Sequence, residues 1–173
     1  MATSAEPDRA LHRTRATTGE AAISSAVRTL ELEGEGLSAV REALSNGMGR
    51  DFMAAVDRLA ACQGRVIVTG IGKSGHVGQK IAATFASTGT PAYFVHPTEA
   101  SHGDLGMITK SDVILAISWS GETVELKNIL TFSRRFGVAL IALTSRRGSA
   151  LGTHADVVLE LPRAKEACPH GLA

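Results

Sequence analysis

The sequence predicts an α/β protein with a doubly wound parallel sheet, and three observations lead to this prediction. Five short apolar runs, each followed by turn residues, are typical of strands: RVIVTG, AYFV, DVILAIS, VALIALT and DVVLEL. These runs are apolar throughout rather than alternating, as in parallel strands that are buried on both faces. Segments with helical spacing of apolar residues separate successive strands. In such a sheet, ligands bind beyond the carboxyl ends of the strands, where the strand order reverses.

Two amphipathic helices are predicted to precede the sheet. In EAAISSAVRTLELEGEGLSAVREAL and in GRDFMAAVDRLAAC, apolar residues recur at helical spacing. The positions concerned are Ile23, Val27, Leu30, Leu37, Val40 and Leu44 in the first segment, and Phe52, Val56 and Leu59 in the second. The polar residues 1–19 are expected to be a disordered tail, so the folded domain is expected to comprise residues 20–173.

Two further helices are predicted to connect strands of the sheet. Apolar residues recur at helical spacing between the first two strands and again between the third and fourth, so that each helix is expected to turn one apolar stripe towards the sheet. The stripe residues are Val77, Ile81 and Phe85 in the first connection, and Ile129, Phe132 and Phe136 in the second.

Composition excludes several classes of function. The chain of 173 residues has 18 basic and 17 acidic side chains, so a net charge of +1 offers no electrostatic footprint for nucleic acid. No apolar run has the length of a membrane span, and the first residues lack the apolar centre of a signal peptide. These two observations predict a cytoplasmic protein. Cys62 and Cys168 form neither a disulfide framework nor a C-x-x-C site.

The turn after the first predicted strand contains Gly70-x-Gly72-x-x-Gly75, a spacing typical of dinucleotide sites. A dinucleotide site also needs an acidic residue at the end of the second strand, but that strand ends Phe94-Val95-His96-Pro97. A P-loop would need glycine at the position of Ile67. The remaining prediction is a phosphate-tolerant turn that opens a helix and carries Lys73 and Ser74.

A second turn, AISWSGET, follows the third strand. Ser118, Ser120 and Thr123 bring three hydroxyls to a helix N-terminus, and Gly121 permits close approach of the backbone. Hydroxyls at such a place are also common helix caps. Because two turns of this kind follow two strands of one sheet, they favour a site for a single phosphate group.

At these residues the sequence resembles the sugar-isomerase (SIS) domain of D-arabinose-5-phosphate isomerases. The resemblance runs from about Val66 to Ala173, through Gly72-Lys73-Ser74-Gly75-His76, FASTGTPAYFVHPTEASHGDLG, the SWSGET turn and AKEACPHGLA. It implies a flavodoxin-like five-stranded sheet, a homotetramer and interconversion of D-ribulose 5-phosphate with D-arabinose 5-phosphate. That reaction starts the route to the Kdo sugar of lipopolysaccharide.

The implied reaction needs a base, an electrophile that holds the enediolate oxygen, and a proton carrier, but no metal or redox cofactor. Spacing places Glu125 four residues before Ile129, on the predicted apolar stripe, where a carboxylate is unusual and indicates a functional role. The alternative is a purely structural role, in which Glu125 is an acid in the first helical turn that complements the helix dipole. The resemblance implies catalytic roles for Glu125, for Glu166 in AKEACP and for Lys73. His102 completes the predicted catalytic set.

The resemblance also implies that His96, His102, Gly89 and Thr90 contact substrate, as Ser74, Ser118, Ser120 and Thr123 are expected to do. His96 is further implied as a ligand of an adventitious, inhibitory Zn²⁺. Trp119 departs from the family pattern, which usually has a small polar residue between the two serines. The phosphate contact at this position can use a backbone N–H, so the departure bears on which sugar is accepted rather than on phosphate binding.

Two other functions remain open at this point. SIS domains also serve as non-catalytic modules that sense sugar phosphates, and an isomerase of another ketose phosphate would keep the same chemistry. The joint presence of Lys73, His102, Glu125 and Glu166 favours an enzyme. The family pattern continues beyond Ala173 with a His-Pro-Gly-Gly segment and commonly two CBS modules, so this chain alone is expected to be poorly active.

Overall fold

The structure is a computed structural model that describes residues 19–171. The tail predicted for residues 1–19 therefore lies outside the described residues, except for Gly19. The described chain divides into two compact units, residues 38–163 and residues 19–37 with 164–171. The first of these contains the sheet.

Five parallel strands form one sheet in the order β2-β1-β3-β4-β5. Gly70, the last residue of the first strand along the chain, is paired with Ile117, the last residue of the third strand. The predicted doubly wound parallel sheet is thus confirmed. The strands are β1 (Val66–Gly70), β2 (Ala92–Phe94), β3 (Val113–Ile117), β4 (Ala139–Thr144) and β5 (Val157–Glu160).

Six α-helices and two short 3₁₀ helices, Asp104–Met107 and Val124–Leu126, accompany the strands among residues 19–171. None of the helices described here has the length and apolarity needed to cross a membrane. The α-helices are α1 (Gly19–Ser45), α2 (Gly47–Ala60), α3 (Gly72–Ser87), α4 (Pro97–Ser101), α5 (Lys127–Phe136) and α6 (Ala150–His154).

The core consists of two apolar layers, one on each face of the sheet, because successive strand residues point to opposite faces. On one face Ile67, Ile114 and Leu140 pack with Ile129 and other residues near α5. On the other face Val66, Val68 and Leu115 pack with residues of α2 and α3. Helices α3 and α5 therefore cover opposite faces, and the chain changes face between β1 and β3.

The predicted apolar stripes of the helices were partly wrong. Val77 is 52% exposed, and α3 instead buries the small residues Gly75, Gly78 and Ala82. A Cβ atom at Gly78 would lie 3.0 Å from the Phe94 ring, so the backbone itself packs on the sheet there. Small residues set the buried face of α3, because they let the helix approach the strands closely.

Other stripe and strand predictions also differ from the structure. Strand β2 lies at the edge of the sheet and is half-buried rather than covered on both faces. In α5, Ile129 is buried but Phe136 is exposed. Helices α1 and α2 form as predicted, yet much of their apolar stripe is exposed: Ile23, Val27, Leu30, Leu37, Leu44, Phe52 and Val56.

A buried carboxylate joins strand β1 to the segment before β3. The Asp112 side chain accepts hydrogen bonds from the backbone N–H of Arg65 and of Thr109, both at 2.7 Å, and pairs with the Arg65 guanidinium at 3.4 Å. Burial by itself raises the pKa of Asp112, but the hydrogen bonds from Thr109 and Arg65 outweigh it, so the pKa lies below its usual value.

We expect Asp112→Asn to lower the free energy of unfolding by about 2 kcal/mol at pH 7, because two charge-assisted hydrogen bonds are weakened. A carboxyl with a depressed folded pKa contributes stability above its unfolded pKa of about 3.9 and loses it as the pH falls through the folded value. The difference between the parent and the variant should therefore shrink below about pH 4. Denaturant unfolding from pH 7 to 3 measures it, with the exposed Asp57→Asn as control. A difference independent of pH would contradict this account.

Candidate active site

The strand order reverses between β1 and β3, and this point defines the candidate site. Both strands end at the same edge, where Gly70 and Ile117 are paired neighbours. The chain leaves β1 towards α3 on one face and leaves β3 towards α5 on the other. A crevice that opens between two diverging connections is where sheets of this kind bind ligands.

The turn after β1 places the N-terminus of α3 at this crevice. Gly72 has a φ of 57°, which favours glycine, and a Cβ atom at Gly75 would lie 2.8 Å from the carbonyl oxygen of Gly70. Ile71 occupies the N-cap position, and its side chain has no acceptor for the first-turn amides. Lys73 is exposed and Ser74 is half-buried in this first turn. The helix end and a lysine therefore supply positive potential at the edge of the sheet.

The turn after β3 is an ordered set of hydroxyls. The Oγ atom of Ser118 lies 2.7 Å from Oγ1 of Thr123 and accepts a hydrogen bond from the Gly121 N–H at 3.0 Å. The Oγ atom of Ser120 accepts from the Glu122 N–H at 3.2 Å. These bonds stabilise the turn itself and do not cap a helix, because Gly121 and Glu122 precede the first helical residue, Val124. Each hydroxyl retains further capacity, because it carries one donor and two acceptor lone pairs.

A third segment, around Ser149 and Leu151, packs against this turn, and the sequence analysis did not identify it. Gly121 has a φ of 69°, and a Cβ atom there would overlap the side chain of the fully buried Ser149. The Leu151 N–H donates to the Gly121 carbonyl at 2.9 Å. The segment TSRRGS begins at the last residue of the fourth strand and, like the two predicted turns, contains serine and glycine, and this signal could have revealed it.

Glu125 lies beyond the same edge, but not on an apolar stripe. It belongs to the 3₁₀ helix Val124–Leu126 and is exposed, whereas Leu126, Ile129 and Leu130 are buried. The predicted spacing assumed one continuous α-helix; a 3₁₀ turn has three residues per turn and rotates Glu125 away from the core. The carboxylate is consequently open to solvent and to a ligand.

His96 and His102 flank the short helix α4, which follows the carboxyl end of β2, and both are exposed. The Nδ1 atom of His96 accepts a hydrogen bond from the Thr98 N–H at 3.3 Å, so in neutral His96 the proton is on Nε2. The Nδ1 atom of His102 lies 2.9 Å from the Thr98 carbonyl oxygen, which can only accept. Neutral His102 therefore carries its proton on Nδ1 and leaves a basic lone pair on Nε2.

A side-chain hydrogen bond ties the histidine helix to the helix after Glu125. The Nδ2 group of Asn128 donates to Oγ of Ser101 at 2.9 Å. Ser101 is the neighbour of His102, and Asn128 lies three residues beyond Glu125. This bond links the segment that presents His102 to the segment that presents Glu125.

Two predicted substrate contacts lie elsewhere in this chain. Gly89 and Thr90 follow α3 and precede β2, so they lie at the amino edge of the parallel sheet, opposite the crevice. The Thr90 N–H donates to the Phe85 carbonyl at 2.9 Å, which closes the end of α3. The structure therefore does not bring these two residues together with Lys73, Ser118 and Glu125.

Glu166 belongs to the other compact unit, where it is exposed, so its catalytic role stays a prediction. The Zn²⁺ contact of His96 is likewise a prediction from resemblance. Among residues 19–171, no three His, Cys, Asp or Glu side chains are clustered as metal ligands would be.

Two cavities lie near the carboxyl ends of the later strands. One of about 350 Å³ adjoins the second turn and is lined by Thr123, Lys127 and His154 among others. Another of about 680 Å³ lies beside Ser145, Arg147 and Glu160, away from the predicted site residues. The crevice between the two turns, and not the larger cavity, combines the hydroxyls, the lysine and the helix N-terminus.

A sequence profile of the SIS domain matches residues 59–173, and the chain belongs to this family. It is 52% identical over 151 residues to arabinose 5-phosphate isomerase KdsD of Pseudomonas aeruginosa, covering 87% of this chain and 45% of that protein. It is 49% identical over 154 residues to arabinose 5-phosphate isomerase GutQ of Escherichia coli K12, covering 89% and 47%. The chain thus spans about half the length of these curated relatives.

A solved structure supports the same family. The structure described as E. coli CFT073 c3406 in complex with A5P superimposes with a TM-score of 0.81 at 41% identity. The match covers 91% of this chain and 81% of that chain. The SIS fold predicted from the sequence is thereby confirmed.

Proposed function

We propose that the protein interconverts D-ribulose 5-phosphate and D-arabinose 5-phosphate. The observation that carries the proposal is the pair of turns at Gly70 and Ile117, which place a helix N-terminus, a lysine and three hydroxyls at one switch point. The similarity to arabinose 5-phosphate isomerases and to a protein solved with A5P supports this substrate. A place in Kdo formation and a cytoplasmic location are parts of the same proposal.

The phosphate of the sugar is held between the two turns. The N-terminus of the 16-residue helix α3 favours a dianion, since its first-turn amides lack acceptors within the helix. Ser74 and Ser120 add hydroxyl donors, and the pair of Ser118 and Thr123 adds one more, because one of its two protons lies in the bond between them. Hydrogen bonds to a charged acceptor are stronger than neutral ones, so this cradle supplies most of the binding.

Proton transfer takes place at C1 and C2 of the sugar, at the end of the carbon chain away from the phosphate. A base removes the proton from C2 of arabinose 5-phosphate, and the C1 carbonyl oxygen gains negative charge. A proton then moves from the C2 hydroxyl to the C1 oxygen, and the resulting enediolate takes a proton at C1 to give ribulose 5-phosphate. Exposed Glu125 is the proposed base, with Glu166 as the second carboxylate. Lys73 holds the enediolate oxygen, and Nε2 of His102 can accept and return a proton.

The direct test is an isomerase assay with ribulose 5-phosphate, accompanied by calorimetry with arabinose 5-phosphate. Turnover of the pentulose supports the proposal. Binding of arabinose 5-phosphate with neither turnover nor exchange of its C2 hydrogen in D₂O would favour a module that senses sugar phosphates, because a poorly active isomerase would still exchange that hydrogen. Turnover of a 3-hexulose 6-phosphate but not of ribulose 5-phosphate would keep the chemistry and change the substrate.

We further propose that copies of the chain associate through the apolar stripe of α1. Ile23, Leu30, Leu37 and Leu44 recur every seven residues along a helix of about 40 Å, and all four are exposed. A heptad repeat of this kind is typical of helices that pack on a partner helix. The family resemblance implies a homotetramer, and Gly89 and Thr90 could then contact substrate only in a neighbouring copy.

We expect Leu30→Glu to shift the chain towards a smaller species in sedimentation velocity, because a charge would be buried in the helix contact. Ser25→Glu, on another face of the same helix, is the matched control and should leave the assembly unchanged. A parent chain that sediments as a monomer would overturn the association. Equal effects of both variants would indicate loss of helix stability rather than loss of a contact.

A further inference from the structure

Trp119 is the one tryptophan of the sequence and lies between two serines of the candidate phosphate cradle. Its side chain is 50% exposed at the carboxyl edge of the sheet. Leaving a large indole half in water forgoes much of the stabilisation that its burial would give. A large aromatic side chain at such a place therefore points to a ligand contact.

The main chain of Trp119 is held rigidly. Its carbonyl oxygen accepts three hydrogen bonds, from the Ser145 N–H at 3.0 Å, from Oγ of Ser145 at 2.8 Å and from Oγ1 of Thr144 at 3.2 Å. Thr144 and Ser145 are themselves buried. The indole is thus presented from a fixed backbone, and only its side-chain torsions remain free. An aromatic side chain has only two torsions to order, so its contact with a ligand costs little entropy.

The chemistry of the indole selects which part of a sugar phosphate it contacts. The face of an aromatic ring carries negative potential, so it does not attract the phosphate that the neighbouring hydroxyls and the α3 N-terminus attract. It does provide an apolar surface for C–H groups. The carbon chain of the sugar, which extends from the phosphate, offers such groups along one side.

We propose that Trp119 packs against the carbon chain of the bound pentose phosphate and thereby determines which sugar is accepted. This inference rests on the proposed function. The phosphate is held by the cradle whichever sugar carries it, whereas the ring contact depends on chain length and on the configuration of the hydroxyl-bearing carbons. Trp119 is then a specificity residue of the candidate site.

Tryptophan fluorescence tests the contact directly, because emission from this chain reports on Trp119 alone. Arabinose 5-phosphate should change the emission, and inorganic phosphate at saturating concentration should leave it unchanged. Trp119→Ser should weaken arabinose 5-phosphate binding in calorimetry about tenfold, with inorganic phosphate affinity retained. Phe136→Ser, which removes an exposed aromatic at the opposite edge, is the control and should leave both affinities unchanged.

The outcomes separate this inference from the proposed function. In one outcome, arabinose 5-phosphate binds in calorimetry but leaves the emission unchanged, and it binds the Trp119→Ser variant with equal affinity. This outcome overturns the role of Trp119 and leaves the proposed function standing. An equal emission change with inorganic phosphate also overturns it, since the ring then reports on the cradle. Failure of the parent chain to bind arabinose 5-phosphate overturns both proposals. If emission changes when copies associate without ligand, the indole belongs to a subunit contact instead.

Discussion

Replacing Glu125 by Gln is expected to lower turnover of ribulose 5-phosphate by about a thousandfold while arabinose 5-phosphate still binds. The amide keeps the shape of the side chain and loses the ability to take a proton. Because Glu125 is exposed, the replacement should leave the fold intact. Exchange of the C2 hydrogen of arabinose 5-phosphate in D₂O, followed by NMR, reports proton abstraction itself.

Glu122→Gln is the matched control for this variant. Glu122 is also exposed and lies three residues away, and one of its carboxylate oxygens accepts a hydrogen bond from the Ala150 N–H at 3.3 Å. The amide oxygen of Gln can accept the same bond, so turnover should stay close to that of the parent chain. Normal C2 exchange in Glu125→Gln would transfer the role of base to another group, with Glu166 as the next candidate.

The strands and both turns could be predicted because their signals are local. Uninterrupted runs of Val and Ile identify parallel strands, and the glycine and hydroxyl residues that follow them identify the turns. Once five strands and their connecting helices are assigned, the parallel topology alone carries Gly89 and Thr90 to the edge opposite the crevice. Their placement could therefore have been worked out from the sequence, and the substrate contact that the resemblance implies for both residues stays a prediction.

The buried faces of the helices could not be predicted equally well, because they depend on distances between elements. Gly78 lets α3 approach the Phe94 ring, and this approach decides that Val77 points outwards. The 3₁₀ turn at Val124–Leu126 changes the phase of the following helix and exposes Glu125. In the same way, only the three-dimensional structure shows that Ser149 packs behind Gly121. Periodicity identifies a helix, but not the rotation about its axis.

The second large effect is expected for the double variant Ser118→Ala/Ser120→Ala, which should lower affinity for arabinose 5-phosphate by at least about a hundredfold. Each serine is expected to donate to the phosphate, and a hydrogen bond to a charged group contributes roughly 1.5–3 kcal/mol. Calorimetry measures the loss. Ser87→Ala, at the far end of α3 from the crevice, is the control and should bind as the parent chain does.

Ser118 also has a structural role, since its Oγ atom accepts from the Gly121 N–H and contacts Oγ1 of Thr123. The single variant Ser120→Ala separates the two effects, because exposed Ser120 accepts only the local bond from Glu122 among the contacts seen in residues 19–171. Its affinity should fall about tenfold while its thermal unfolding midpoint stays unchanged. If both variants bind arabinose 5-phosphate as tightly as the parent chain does, the hydroxyls after β3 do not hold the phosphate. The phosphate would then have to be held by the N-terminus of α3 without them.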